Sequence, residues 1–166
     1  MLSTCFYPSP IGPLAITEED GFLCSIEFGT STFRGAAHRE TPVTAEAYAQ
    51  IRAYFEGTRR TFSLPLRPHG TAFQKEVWDA LRTIPYGETC SYGELAFMAG
   101  RPGAARAVGM AVNRAPIALV IPCHRCIGAD GSLKGDGGWP ELQRKLLDLE
   151  QGMRPFGEWE ADSTEL

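Results

Sequence analysis

The chain has 166 residues, a formal net charge of −4, and 43% hydrophobic and 22% charged residues. This length is enough for one substantial core or two small ones, and the composition argues against a disordered chain. The negative net charge argues against a protein that is held on nucleic acid by bulk charge alone.

The amino terminus carries neither a basic nor an apolar signal segment, and no apolar run approaches the roughly 18 residues that a membrane span needs. We therefore expect a soluble protein of the cytoplasm, or of the nucleus in a eukaryote, that has no membrane partner. Its five cysteines are odd in number and lack the spacing of a disulfide framework. They are expected to be reduced thiols.

The first part of the chain predicts a small α/β unit. Strands of an antiparallel meander, separated by turns, are expected at Phe6-Tyr7, Leu14 to Ile16 and Phe22 to Phe28. Apolar residues at helical spacing then predict a helix from Thr44 that stops near Gly57.

A linker-like stretch precedes a second unit made largely of helices. Ser91 and Glu94 form a capping box that opens a helix from Tyr92 to Met98. Two short helices joined by a turn with glycine are typical of a helix-turn-helix, although an ordinary pair of helices has the same pattern. The other elements predicted here are helices around Phe73 to Leu81, Ala104 to Asn113 and Glu141 to Glu150, and a buried strand from Ile117 to Ile121. The predicted domains are residues 1–67 and 68–152, followed by an acidic tail at 153–166.

Positive charge is concentrated in the second unit. Between Gly100 and Gly135 the chain has five basic side chains and a single acidic one, Asp130. A basic face on an acidic protein fits a transient contact with DNA, and a solvated face is the alternative.

Cys123 follows the predicted strand and has a base and a cation beside it, His124 and Arg125. The thiolate is the reactive form of cysteine, and imidazole and guanidinium groups lower the pKa of a neighbouring thiol. Because adjacent side chains on a strand point to opposite faces, contact with His124 needs a bridging water or a bend at Pro122.

A carboxylate is needed to orient the histidine. Glu150, at the end of the last predicted helix, can fill this role, and so can Glu141 or Asp148. Cys123 and Cys126 also form a C-x-x-C pair, which leaves a redox role open. A zinc site is not expected, because no second pair of ligands is present.

Several segments recur in one known family with this order and spacing. They are Phe73-Gln74, Val77-Trp78, Ile84 to Thr89, Ser91 to Ala96, Arg101-Pro102, Ala105 to Gly109, Ile121 to Arg125 and Leu146 to Glu150. Together they resemble the O6-alkylguanine-DNA alkyltransferases. The resemblance implies a small RNase H-like α/β domain at the amino terminus and a winged-helix (helix-turn-helix) domain at the carboxyl terminus.

The resemblance also implies a reaction. Members of this family bind double-stranded DNA through the minor groove, flip out an O6-alkylguanine and transfer its alkyl group irreversibly to a cysteine. Base flipping is required because a thiolate cannot reach the alkyl carbon of a stacked base. A monomer that acts once, without cofactor or metal, is therefore expected.

Residue roles follow from the same resemblance. Cys123 is the implied acceptor, with His124 and Glu150 as its relay. Tyr92 is expected to turn the phosphate and to bond the guanine, and Arg106 to fill the vacated stack. Further contacts with DNA or substrate are expected at Gly93, Arg101, Arg125, Cys126 and Gly137.

Three positions depart from the family pattern. Ala115 stands where asparagine is usual, Asp136 where tyrosine is usual and Gln143 where lysine is usual. An inward-pointing Asp136 makes the pocket more acidic and raises the thiol pKa, so slower transfer or a changed alkyl preference is expected. These departures keep one rival open, a sensor that binds alkylated DNA without reacting. A thiol redox protein that uses the Cys123 and Cys126 pair is a third alternative.

Overall fold

A computed structural model of the chain describes residues 1–30, 35–133 and 139–152. The chain divides into two compact units. Among the described residues, the first comprises Met1–His69 together with Pro116–Ala118, and the second comprises Gly70–Ala115 and residues 119–152. Over the described ranges, each helix is too short or too polar to cross a bilayer.

The first unit is built on a four-stranded sheet with the order β3-β2-β1-β4. Its strands are β1 (Leu2–Tyr7), β2 (Leu14–Glu19), β3 (Phe22–Phe28) and β4 (Ala37–His38). The first three pair antiparallel, which confirms the predicted meander. The short β4 pairs parallel to β1 and was not predicted, because two residues carry no alternating pattern.

Helix α1 (Pro42–Phe55) packs on this sheet and buries Ile51 and Tyr54 completely. It begins before the predicted start at Thr44. The Thr41 side chain accepts from the Thr44 N–H, while the Thr44 hydroxyl accepts from the Thr41 N–H, so the two threonines cap the helix reciprocally. Proline at the first helical position suits this start.

In addition to one short 3₁₀ helix, the second unit contains four α-helices and a two-stranded parallel sheet among its described residues. They are α2 (Ala72–Leu81), β5 (Cys90–Ser91), α3 (Tyr92–Met98), α4 (Ala105–Asn113), β6 (Cys126–Ile127) and α5 (Trp139–Glu150). The capping box predicted for Ser91 and Glu94 is present, with both hydrogen bonds formed. Helices α3 and α4 pack against each other after a turn that contains Gly100 and Gly103.

The strand predicted from Ile117 to Ile121 is wrong. Ile117 makes only an isolated bridge to Ile26 of β3, and the chain then turns at Leu119, whose φ is +71°. A positive φ at a leucine is unfavourable, so tertiary packing imposes this turn, and Leu119 is indeed buried. The residues of this run are therefore apolar because they are buried, and not because they pair as a β-strand.

The indole of Trp78 links two helices in the core of the second unit. Its Nε1–H donates to the carbonyl oxygen of Ala111 over 2.8 Å, which ties α2 to α4. The side chain is almost completely buried. The same carbonyl also accepts from the Arg114 N–H, over 3.1 Å.

We expect Trp78→Phe to lower the free energy of unfolding by about 2–3 kcal/mol, because it loses ring volume and a buried hydrogen bond to the Ala111 carbonyl, which keeps only its bond from the Arg114 N–H. Urea unfolding measures the change. Phe97→Leu is the control, because Phe97 is 74% exposed and its substitution should change stability by less than about 0.5 kcal/mol. Equal effects of the two substitutions would contradict this account of the core.

Candidate active site

Cys123 begins a single 3₁₀ turn, Cys123–Arg125, that follows Pro122. The Arg125 N–H donates to the Pro122 carbonyl over 2.9 Å, and the Cys126 N–H donates to the Cys123 carbonyl. With three residues per turn, consecutive side chains point in three different directions. Cys123 is half-buried, whereas His124 and Arg125 are buried.

The carboxylate of Glu150 gathers the side chains that follow Cys123. His124 Nε2 lies 2.6 Å from Glu150 Oε2. The guanidinium of Arg125 donates to both carboxylate oxygens, from Nε over 2.8 Å and from Nη2 over 3.0 Å. The Gly87 N–H adds a bond of 3.1 Å. Among the acidic residues considered for His124, the structure brings Glu150 into contact with it.

Local sequence explains why Glu150 can reach this position. On α5 the buried residues are Gln143, Leu146, Leu147 and Glu150, which recur at helical spacing on one face. The turn after α2 approaches the end of α5 at Gly87, whose φ is +83°. A Cβ at Gly87 would lie 3.2 Å from the Glu150 carbonyl oxygen, so glycine suits both the conformation and the close approach.

The environment sets the charge of this cluster. Burial alone would raise the pKa of Glu150, but hydrogen bonds from His124 and Arg125 hold that pKa well below its ordinary value. Burial lowers the pKa of His124, against the opposing effect of Glu150. Glu150 is therefore ionised and accepts the Nε2–H of a neutral imidazole. The second ring nitrogen, Nδ1, is then unprotonated, and it is buried without a hydrogen-bond partner among the described residues.

The predicted lowering of the Cys123 pKa is wrong. Burial raises the pKa of this thiol to about 11, although nearby backbone N–H groups act in the opposite direction. The guanidinium of Arg125 does not serve the thiol, because it is bound to Glu150 and donates from Nη1 to the Ile84 carbonyl over 2.7 Å. The thiol therefore needs a base to remove its proton.

Tyr92 opens α3 and belongs to the same neighbourhood. Its ring packs over Gly109 of α4, where a Cβ would come within 3.5 Å of the ring. Burial raises the pKa of Tyr92, and the nearby thiols of Cys126, Cys123 and Cys90 act in the same direction. Tyr92 therefore lies near enough to these three thiols for their charge to affect its pKa.

Gln143, which the sequence marks only as a departure from the family pattern and not as a site residue, supports the turn that begins at Cys123. Its amide nitrogen donates to the carbonyl oxygens of His124, over 2.9 Å, and of Cys126, over 3.0 Å. The side chain is buried, and its Oε1 is without a hydrogen-bond partner within the described part of the chain. The signal that could have identified it is a polar residue on the apolar face of α5.

The remaining predicted residues lie in different settings. Arg106 is exposed on α4 and Gly93 is exposed in the first turn of α3. Arg101 is exposed and pairs with Glu76 over 2.9 Å. The buried guanidinium of Arg125 is directed to Glu150, which does not favour the predicted contact of this side chain with DNA. Gly137 and Asp136 lie outside the described residues.

The neutral, buried state of His124 leads to a prediction about stability and pH. Its ordinary pKa is 6.5, and the pKa is lower in the folded protein, so below about pH 6.5 the unfolded chain binds a proton that the folded protein does not. Stability should therefore fall as the pH falls below this value, by up to about 1.4 kcal/mol per pH unit. Glu150, whose pKa is also lowered, adds its own loss only in more acidic solution, below the ordinary pKa of a glutamate.

Urea unfolding between about pH 7.5 and pH 5.5 measures this dependence. His124→Gln should be less stable at neutral pH and should lose most of the slope. His69→Gln is the matched control, because the His69 side chain is 59% exposed and the slope should persist in that variant. An unchanged slope in His124→Gln would refute the assignment.

Comparisons with known proteins agree with this architecture. Residues 3–68 match the ribonuclease-like domain of 6-O-methylguanine DNA methyltransferase, and residues 72–152 match the DNA-binding domain of the same family. A methylated-DNA–protein-cysteine methyltransferase of Mycobacterium tuberculosis is 46% identical over 150 residues, which cover 89% of this chain and 91% of that protein. A protein of the same name from Haemophilus influenzae is 43% identical over 151 residues, covering 88% and 84%.

Solved structures of proteins from the same family are also similar to this chain. The crystal structure of M. tuberculosis O6-methylguanine methyltransferase matches with a TM-score of 0.85 at 44% identity and covers 93% of this chain and 96% of that one. The structure of the M. tuberculosis protein in complex with DNA also matches with a TM-score of 0.85 at 44% identity, covering 92% and 95%. The expected fold, a ribonuclease-like α/β domain followed by a DNA-binding domain, is confirmed. The chain belongs to the 6-O-methylguanine DNA methyltransferase family.

Proposed function

We propose that this protein repairs DNA by transferring the alkyl group of O6-alkylguanine to Cys123, once per molecule. The observation that carries the proposal is the buried hydrogen bond between the Glu150 carboxylate and His124. The other ring nitrogen of His124, Nδ1, is unprotonated, and His124 directly follows Cys123, whose thiol is half-buried. Membership of a family whose relatives are named methylated-DNA–protein-cysteine methyltransferases supports it.

The proposed reaction starts with proton removal. The Cys123 proton passes to Nδ1 of His124 through a bridging water, while Glu150 holds the Nε2–H and stabilises the imidazolium that forms. The thiolate sulfur then attacks the alkyl carbon. The sulfur–carbon bond forms as the bond from that carbon to the guanine oxygen breaks, and the electron pair goes to guanine, which takes up a proton. The thioether is stable, so the protein acts once.

Two side chains are proposed to hold the base outside the duplex. Tyr92, beside the thiols of Cys123 and Cys126, suits the roles of turning the phosphate and bonding the guanine. Arg106 is exposed on α4, and its planar guanidinium can stack where the base was. Gly93 and Arg101 are proposed as further DNA contacts, and the protein is proposed to act as a monomer in the cytoplasm, or in the nucleus of a eukaryote.

Mass spectrometry of the protein after incubation with a duplex that contains one O6-methylguanine tests the reaction. We expect the mass of one methyl group to be added to the peptide that contains Cys123, with unmodified guanine restored in the DNA. Cys123→Ala should gain no mass. The matched control, Cys24→Ala, removes a buried thiol of the first unit and should react as the wild type does.

The same experiment separates the rivals. Tight, lesion-selective binding without a mass gain would make the protein a sensor of alkylated DNA. A methyl group on a different cysteine would refute the assignment of Cys123. Thiol oxidation chemistry that is independent of DNA, without methyl transfer, would favour the redox protein.

Arg106→Ala should weaken binding to the lesion duplex by about 5-fold to 150-fold, which corresponds to the loss of a stacking contact of about 1–3 kcal/mol. Arg82→Ala removes the same charge from an exposed position at the end of α2 and serves as the control. Fluorescence anisotropy with lesion and undamaged duplexes measures both variants. Equal losses for Arg106→Ala and Arg82→Ala would indicate that only bulk charge matters.

A further inference from the structure

Two cysteines that take no part in the proposed reaction lie opposite each other on neighbouring strands, beside the 3₁₀ turn that begins at Cys123. Cys90 of β5 and Cys126 of β6 are direct partners in the parallel pair of strands. Both are buried, with exposed fractions of 6% and 1%. This pairing places their side chains on the same face of the two-stranded sheet, where each thiol affects the pKa of the other.

This register suits a covalent bond. Neighbouring strands lie about 4.7–4.9 Å apart, and the Cα atoms of disulfide-bonded cysteines are usually about 4.4–6.8 Å apart. We propose that Cys90 and Cys126 are a redox modification site, at which a peroxide-class oxidant forms a reversible intramolecular disulfide. The inference concerns a pair of residues that differs from the Cys123–Cys126 pair that the sequence leaves open, and it does not depend on the proposed alkyl transfer.

The chemistry needs one oxidant and no further group. The Cys90 thiolate attacks one peroxide oxygen, the oxygen–oxygen bond breaks, and a sulfenic acid and water form. The Cys126 thiol then attacks the Cys90 sulfur, the sulfur–sulfur bond forms and a second water leaves. Two thiols are oxidised by two electrons, and one hydrogen peroxide is reduced to two waters.

Cys90 is the better first nucleophile of the two. The hydrogen bond from Cys126 lowers the pKa of Cys90, against the effect of burial, and the same bond raises the pKa of Cys126. The Cys123 thiol, whose pKa burial raises to about 11, stays protonated at neutral pH. Because thiolates and not thiols react with peroxide, oxidation should favour Cys90 over Cys123.

The proposed disulfide would join the segment that contains Cys123 to the segment that leads into Tyr92. Cys126 follows the 3₁₀ turn that contains Cys123, and Cys90 precedes Ser91, the N-cap of the helix that begins at Tyr92. A disulfide here would therefore link the 3₁₀ turn that begins at Cys123 covalently to the start of α3. It leaves the sulfur of Cys123 unmodified.

Peptide mapping of the full-length, reduced protein after treatment with dilute hydrogen peroxide tests the proposal. The protein is unfolded after treatment and its remaining thiols are labelled with N-ethylmaleimide. We expect a crosslink between the peptides of Cys90 and Cys126 that dithiothreitol removes, with the label on Cys5, Cys24 and Cys123. Cys90→Val and Cys126→Val, whose valines suit a buried strand, should each abolish the crosslink, and circular dichroism checks their folding.

Cys24→Val is the matched control, since Cys24 is also buried in a strand, and it should leave the crosslink intact. Labelling of both Cys90 and Cys126 after peroxide treatment of the wild type would overturn the proposal. A crosslink that joins Cys123 to Cys126, or oxidation of Cys90 to a sulfinic acid without a crosslink, would also overturn it. A loss of methyl transfer in the separate DNA assay would bear on the proposed function and leave the crosslink result unchanged.

Discussion

The Glu150 carboxylate is an ionised group in the interior of the second unit, and the arrangement around the reactive thiol depends on how that charge is satisfied. An isolated buried charge costs several kcal/mol, so its partners must come to it. Gly87 comes from the turn after α2, and His124 and Arg125 come from the turn after Cys123. One carboxylate therefore holds three separate segments of the chain in register.

The same charge determines what the neighbouring groups can do. Because Glu150 can only accept hydrogen bonds, it selects the tautomer of His124 that leaves Nδ1 available as a base. Arg125, which the sequence suggests as an activator of Cys123, instead neutralises Glu150. Because burial raises the pKa of the Cys123 thiol to about 11, the proposed reaction depends on the histidine as a base and not on a permanently lowered thiol pKa. Under the proposed function this protects a nucleophile that can be used only once.

In contrast to the buried Glu150 cluster, the arginines that are proposed to contact DNA are exposed. The net charge is −4, yet α4 presents Arg106 to solvent, and Arg101 lies in the turn before it. Binding that relies on a few cations and a stacking side chain suits a protein that must leave undamaged DNA readily. The cluster of His124, Arg125 and Glu150 is buried, and the arginines proposed to meet the duplex are at the surface.

Much of the fold was determined by local sequence. The strands of the meander, the helices and the Ser91 capping box follow from alternation, helical spacing and short-range hydrogen bonds, which act between residues close in the chain. The motifs around Cys123 and Glu150 were recognisable for the same reason, as they are contiguous segments. By itself, however, the sequence left Glu150, Glu141 and Asp148 as equal partners for His124.

Tertiary structure decided the contacts between distant segments. The apolar run after Pro116 has the composition of a strand, but packing makes the chain turn at Leu119. The positive φ of Leu119 at this turn could not be predicted from the residue pattern. Three contacts join residues far apart in the chain. They are the ion pair of Arg125 with Glu150, the hydrogen bonds of Gln143 to the turn that begins at Cys123, and the pairing of Cys90 with Cys126. Periodicity reports only which face of an element is buried, so the identity of the group that meets that face is a property of the folded chain.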